Sequence, residues 1–276
     1  MLLHCGNFRL NLSRPLVMGI INVTPDSFSD GGKHLLSDAA LAHAHRLIEE
    51  GAELLDIGGE STRPGAQSVS IRQELERVLP VLEGLRGISV PISIDTSKPE
   101  VMQAAIEAGA QMVNDINALR DAAAMRAIAS SNVAICLMHK QGDPQTMQTN
   151  PLYRNVVAEV REFLRERIAA AETAGIDRSR IVADPGFGFG KTLEHNLTLL
   201  RELHRLTELG VPILAGLSRK SMLGELTGQD VTQRLPASIA AALIAAQRGA
   251  AIVRVHDVQA TVDALKILNA VNGETG

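Results

Sequence analysis

Eight times along this chain an apolar run ends at or just before a residue able to grip a polar ligand. Residues 17–21 run into Asn22, and residues 53–57 lead to Glu60, Ser61, Thr62 and Arg63. Residues 90–94 end at Asp95, 111–113 at Asn114 and Asp115, and 133–138 at His139. Residues 181–183 end at Asp184, 211–217 at Ser218, Arg219 and Lys220, and 251–253 at Arg254 followed by His256. Parallel strands would carry all these ends to one face, and that face would be an active site.

Segments of helical period separate the runs. Residues 37–50 open on the capping pair Ser37 and Asp38 and stop at Gly51. Pro99 sits in the first turn of a segment that stops at Gly109, the positions these residues favour. Residues 71–86, 121–130, 153–174, 194–209, 237–248 and 258–272 read the same way. Alternating strand and helix implies a parallel sheet covered by helices. Eight such units match the size of a (β/α)8 TIM barrel. An open doubly wound sheet is the alternative, but its ligand residues would cluster at one switch point. Here they follow every strand. Phe8, Leu10 and Leu12 alternate, as a short N-terminal strand or hairpin closing the barrel bottom would. No linker or low-complexity stretch divides the chain, so residues 1–276 are expected to form one domain.

Composition narrows the function classes. A formal charge of -4 argues against a nucleic-acid partner, which calls for a basic excess. No window holds the ~20 uninterrupted apolar residues of a membrane span. The start lacks a basic segment followed by a long apolar core, and Cys5 and Cys136 make neither a metal spacing nor a disulfide framework. A cytoplasmic protein is the expectation.

Asn22, Arg63, Arg254 and His256 come from the first, second and last units, which a barrel brings together, and they can clamp an anion. Arginine presents a planar fork suited to phosphate oxygens, and the Asn22 amide oxygen suits Mg2+. Each alone could equally be a surface residue or a cap. Asp95, Asn114 and Asp184 follow buried runs, where unpaired carboxylates are costly. A flat ring bearing N–H and amino donors would satisfy them; internal pairing, for example Asp184 with Lys220, would do so too. Asp56, Asp115 and Glu60 fit that structural alternative better. Lys220 could donate to a ring carbonyl or nitrogen, and Ser218 could hold a carboxylate. Phe187 and Phe189 stand among glycines just after a strand, in a chain only 2% aromatic. Phenylalanine exposed on such a loop could stack on an aromatic substrate. Met138 and Ile116 read as apolar walls around a ring.

Two loops stand out by their turn formers and hydrogen-bonding groups, residues 24–36 and 60–70. The first, with the run before it, reads Met18 to Gly32; the second, with its strand, reads Asp56 to Gly65. Both segments closely resemble the two signatures of the dihydropteroate synthase family. Asp95, Asn114, Asp184-Pro185-Gly186, Ser218-Arg219-Lys220 and Arg254-Val255-His256 fall in matching order, and the resemblance covers essentially the whole chain. It implies a barrel enzyme that joins 6-hydroxymethyl-7,8-dihydropterin diphosphate to 4-aminobenzoate, a folate-synthesis step that sulfonamides target. By resemblance Asp95, Asn114, Asp184, Lys220 and Arg254 hold the pterin. Asn22, Arg63, Arg254 and His256 take the diphosphate, with Mg2+ at Asn22. Thr62, Pro64, Phe189 and Ser218 surround the aminobenzoate. Asp30, Ser61 and Arg63 belong to closing loops, and a homodimer is implied. Two other classes compete: corrinoid methyltransferases, which share the pterin barrel but need no diphosphate clamp, and a catalytically silent pterin-binding module.

Overall fold

The computed structural model describes residues 1–24, 33–61, 68–142 and 147–273. Eight parallel strands close into a barrel, β3 (Leu16–Asn22), β4 (Leu54–Gly58), β5 (Ile92–Asp95), β6 (Met112–Asp115), β7 (Ala134–Met138), β8 (Ile181–Asp184), β9 (Ile213–Ala215) and β10 (Ala250–Val255). Strand β10 returns to pair with β3, Arg254 opposite Met18, so the first and last units are neighbours. Strands β1 (Leu2–Cys5) and β2 (Phe8–Asn11) form the antiparallel N-terminal hairpin.

The helices are α1 (Lys33–Glu49), α2 (Ile71–Gly84), α3 (Pro99–Ala108), α4 (Ala122–Ala129), α5 (Val156–Thr173), α6 (Leu193–Arg201), α7 (Ser221–Thr227), α8 (Leu235–Gln247) and α9 (Val258–Val271). Local chemistry sets many of their ends. Ser70 and Gln73 cap α2 reciprocally. Asp121 accepts the Ala123 and Ala124 amides at the head of α4. Gly109, at φ 111°, ends α3.

Three boundaries differ from expectation. Helix α1 starts four residues before Ser37, so Ser37 and Asp38 lie in its second turn rather than at its cap. The segment 194–209 divides into α6 and a 3-10 turn, Leu203–Leu209. Leu203, Leu206 and Leu209 are all buried and recur every three residues, the repeat of that tighter helix. Two helices, α7 and α8, precede β10 where one was expected. Gly228 at φ 71° stops the first.

Strand side chains alternate between two cores. Val17, Ile21, Leu55, Ile57, Ile94, Val113, Ile135, Leu137, Ala183 and Val253 face outward against the helices. Leu16, Met18, Leu54, Met112, Ala134, Cys136, Val182, Leu214 and Ile252 fill the barrel floor. Leu3 and Cys5 of the hairpin plug that floor, with Phe8, Leu10 and Leu12 packed against it. Burying a leucine this fully stabilises by about 1.5–3 kcal/mol. The floor is therefore an apolar plug of buried side chains beneath the upper end of the barrel.

Candidate active site

Two residues above several floor positions the same face carries polar groups. Leu54, Met112, Val182 and Ile252 are followed by Asp56, Asn114, Asp184 and Arg254, and Ser93 is followed by Asp95. The strand period of two thus stacks a polar layer on an apolar floor. Above it opens a cleft of about 1000 Å³, lined in part by Asn22, Asp95, Asn114, Asp184, Ser218, Lys220, Arg254 and His256.

Arg254 is the hub of the layer. Its Nε donates to Asp56 Oδ2 at 2.5 Å and its Nη2 to Asp95 Oδ2 at 2.9 Å. Asn114 Nδ2 donates to the same Asp56 oxygen at 3.1 Å. Burial works against the Arg254 charge, but Asp56 and Asp95 more than offset it and hold the guanidinium above its ordinary range. Burial pushes the Asp95 carboxyl up to about 7, against the pull of Arg254. Asp184 is also raised by burial, opposed by the Gly186 amide that donates to its Oδ1 at 2.7 Å.

Asp56 pairs internally, as its sequence context suggested, and it does so at the centre of the site, fully buried, where it orients both Arg254 and Asn114. Leu54, two residues earlier, faces the floor, and barrel closure thereby places Asp56 on the same inner face. The pure structural reading does hold for Asp115, whose carboxylate accepts the Asn117 and Leu119 amides at 2.8 and 2.7 Å. It steadies a turn in which Ala118 and Leu119 both stand at φ 52°. Glu60 combines both roles, lining the cleft while receiving Lys98 Nζ at 2.5 Å.

Among the described residues, three buried acceptors of this layer have no hydrogen-bond partner: Asp56 Oδ1, Asp95 Oδ1 and Asn114 Oδ1. Left dry, each such atom costs on the order of 1–3 kcal/mol. Donors on a bound ring would satisfy those the ring can reach.

Ser218 and His256, assigned by resemblance to the aminobenzoate and the diphosphate, touch each other. Ser218 Oγ lies 3.0 Å from His256 Nδ1 and accepts the His256 amide at 3.2 Å. Arg219 between Ser218 and Lys220 takes the left-handed conformation, φ 57°. Its guanidinium pairs with Asp257 at 2.6 Å, and Arg219 lines the cleft together with both neighbours.

The two phenylalanines are a correction: neither is exposed. Phe187 is 1% accessible and belongs to the main core, and Phe189 is 8% accessible. Phe189 packs with Ile116, Met138 and Met147, and Lys220 Nζ sits 4.2 Å from its ring centroid. The glycines serve close approach instead. A Cβ at Gly186 would stand 1.8 Å from the His139 carbonyl oxygen, and one at Gly190 would stand 2.3 Å from that of Gln141. Phe189 still lines the cleft, as a fixed wall rather than a mobile flap.

Ser61 is exposed at the cleft edge. Asp30, Thr62, Arg63 and Pro64 lie outside the described residues. Among the described residues no cluster of three His, Cys, Asp or Glu side chains could hold a metal ion by itself. Nor is any described helix long and apolar enough to cross a membrane.

Comparison with known proteins bears directly on this geometry. The family described as "Pterin binding enzyme" matches residues 18–256. The chain is 50% identical over 262 residues to dihydropteroate synthase of Escherichia coli (strain K12), covering 95% of this chain and 93% of that one. Its fold is similar to dihydropteroate synthase of Xanthomonas albilineans solved with 4-aminobenzoic acid, at TM-score 0.93 and 57% identity over 98% of each chain. The Xanthomonas albilineans enzyme in complex with 7,8-dihydropteroate matches at TM-score 0.90 and 54% identity over 99% of each chain.

Proposed function

The chain belongs to the pterin-binding enzyme family, and from that premise we propose that it catalyses the dihydropteroate synthase reaction. It joins 6-hydroxymethyl-7,8-dihydropterin diphosphate to 4-aminobenzoate and yields 7,8-dihydropteroate and diphosphate. The observation that carries this reading is the set of acceptors on Asp95 and Asn114 that have no partner among the described residues, buried beside Asp184 in an open cleft. A reduced pterin presents the ring N–H and amino donors that such acceptors need.

The pterin lies on Asp95, Asn114, Asp184 and Lys220, with Arg254 across its face. Arg254, His256 and Asn22 meet the diphosphate, and Arg63 joins them. As the C–O bond breaks, negative charge grows on the departing diphosphate and positive charge on the exocyclic carbon. Arg254 and His256 answer the first, and the carboxylates of Asp95 and Asp184 answer the second. The aminobenzoate carboxylate rests on Ser218 and its ring on Phe189, beside Thr62 and Pro64. Its amine then forms the new C–N bond and releases a proton. No side-chain nucleophile is required. Asp30, Ser61 and Arg63 act in excluding water from the cation.

The donor set at the rim fits Mg2+. Asn22 offers one neutral amide oxygen, which suits an ion that takes its other ligands from phosphate and water. Bound there, Mg2+ would neutralise charge on the leaving diphosphate. We also propose a homodimer. Leu235 and Ile244 of α8, with Ile267 and Val271 of α9, are exposed apolar residues on adjacent helices, as at a subunit contact. Sedimentation as a monomer would remove that proposal. A cytoplasmic location agrees with two buried free thiols, Cys5 and Cys136.

The test is diphosphate release from the pterin substrate, with and without 4-aminobenzoate and with and without Mg2+. Release coupled to dihydropteroate formation is expected. Tight pterin binding with no release would make the protein a binding module. Methyl transfer to a corrinoid without condensation would make it the competing enzyme class.

A further inference from the structure

Lys191 is a buried cation that the proposed chemistry does not use. It is 3% accessible, and lysine is almost never buried without a reason. Its Nζ lies 2.9 Å from His139 Nδ1, 2.9 Å from the Gly186 carbonyl oxygen and 3.0 Å from the Phe189 carbonyl oxygen. Three acceptors match the three protons of an ammonium. Burial still draws the group down to about 7, against the pull of Asp184.

These contacts span one loop. Gly186 opens it, Phe189 lines the cleft together with Phe187 and Gly188, and His139 follows the neighbouring strand β7. The His139 ring is braced in turn by Phe163, edge to face at 4.9 Å. Tyr153 Oη donates to the Gly190 carbonyl at 2.9 Å from the far side. Asn196 Oδ1 accepts the Gly188 amide at 2.8 Å. We infer that Lys191 is a positioning residue: its side chain binds both ends of the 186–189 turn to His139 and thereby sets the Phe189 ring against Lys220 as the wall of the aminobenzoate subsite. The inference rests on the synthase reading and adds to it a residue that touches neither substrate.

The experiment is steady-state kinetics of the full-length Lys191→Met variant with both substrates varied. The expected result is an aminobenzoate KM raised about tenfold, the effect of losing such anchoring hydrogen bonds, with the pterin KM within about twofold of the parent. Asp184 keeps its own bond to the Gly186 amide, so the pterin end is spared. A merely structural role is separated by a double-mutant cycle with Phe189→Leu. If Lys191 works through that ring, the two changes are strongly non-additive in aminobenzoate KM. Additive effects, or an unchanged aminobenzoate KM, overturn the inference. Should Lys191→Met fail to fold, Tyr153→Phe removes another tether of the same loop. It should raise the same constant by a smaller factor, and no change there overturns the inference too. A parent protein without synthase activity would sink the functional reading first, and the two failures are thus distinct.

Discussion

Arg254 Nε donates to Asp56 Oδ2 at 2.5 Å across 198 positions of sequence. The carboxylate fixes the plane of the guanidinium, and the guanidinium neutralises a carboxylate with no access to water. Replacing Arg254 by Ala should therefore do two things. Diphosphate release should fall by about 10²–10³-fold, the usual loss when a donor to developing charge is removed. Chemical denaturation should show about 3 kcal/mol less stability, because Asp56 is left buried and uncompensated. Parent-like turnover in this variant would end the anion-clamp assignment.

Pterin affinity should depend on pH through Asp95. Its carboxyl is raised by burial to about 7, so in the free protein it holds a proton below that pH. A ring donor needs the ionised form. Affinity measured by calorimetry should accordingly rise as pH increases through about 7 and then level off. The same shift works on folding with its own sign. The raised native pKa contributes stability below the unfolded carboxyl range, and that contribution is lost as pH climbs through about 7. Asp95→Asn should bind pterin more weakly at high pH and lack the step. A step retained in that variant would assign the titration elsewhere.

Gly186→Ala tests close approach against backbone strain. Gly186 has φ +67° and a Cβ there would meet the His139 carbonyl oxygen at 1.8 Å. Gly109 also has positive φ, +111°, but nothing lies within 4 Å. The Gly109 substitution should cost about 1 kcal/mol, the strain alone. The Gly186 substitution should cost clearly more and lower activity, since the turn beneath Phe189 must shift. Equal melting temperatures for the two variants would contradict this.

Lys98 should matter more to stability than its partial exposure suggests. Its Nζ meets Glu60 and Glu74, each at 2.5 Å, and the Glu74 side chain is 0% accessible. Glu60 also accepts the Val69 amide at 2.9 Å, tying together both ends of the segment between β4 and α2. Lys98→Met leaves Glu74 buried without its cation and should destabilise by about 3–5 kcal/mol. Glu60→Gln keeps the Glu74 pair and should cost under half as much. The reverse order in urea titrations would show that Glu60 carries the energy.

Much of this was legible along the chain. Apolar runs ending in ligand residues and separated by capped helical segments gave the closed parallel barrel. The alternation of Phe8, Leu10 and Leu12 gave the hairpin beneath it. Asp95, Asn114, Asp184 and Arg254 were visible because each ends a run where a polar side chain needs a reason.

Asp56 was hidden by its strand. Both faces of β4 are apolar around it, so hydrophobic pattern could not assign its direction. Only closure of the barrel, with Leu54 on the floor, turned it inward. The fate of Phe187 and Phe189 likewise depended on distant chain. Glycines 186 and 190 read as flexibility, whereas they let the loop lie directly on the backbone at His139 and Gln141. The link between Lys191 and His139 bridges 52 positions. Periodicity and capping act within a few residues, and so sequence alone determined the order of strands and most helices, though not the extra helix α7 or the division of 194–209. Which side chains share a buried charge, and which acceptors remain for a ligand, is set by desolvation across the closed barrel, and only the tertiary structure decided that.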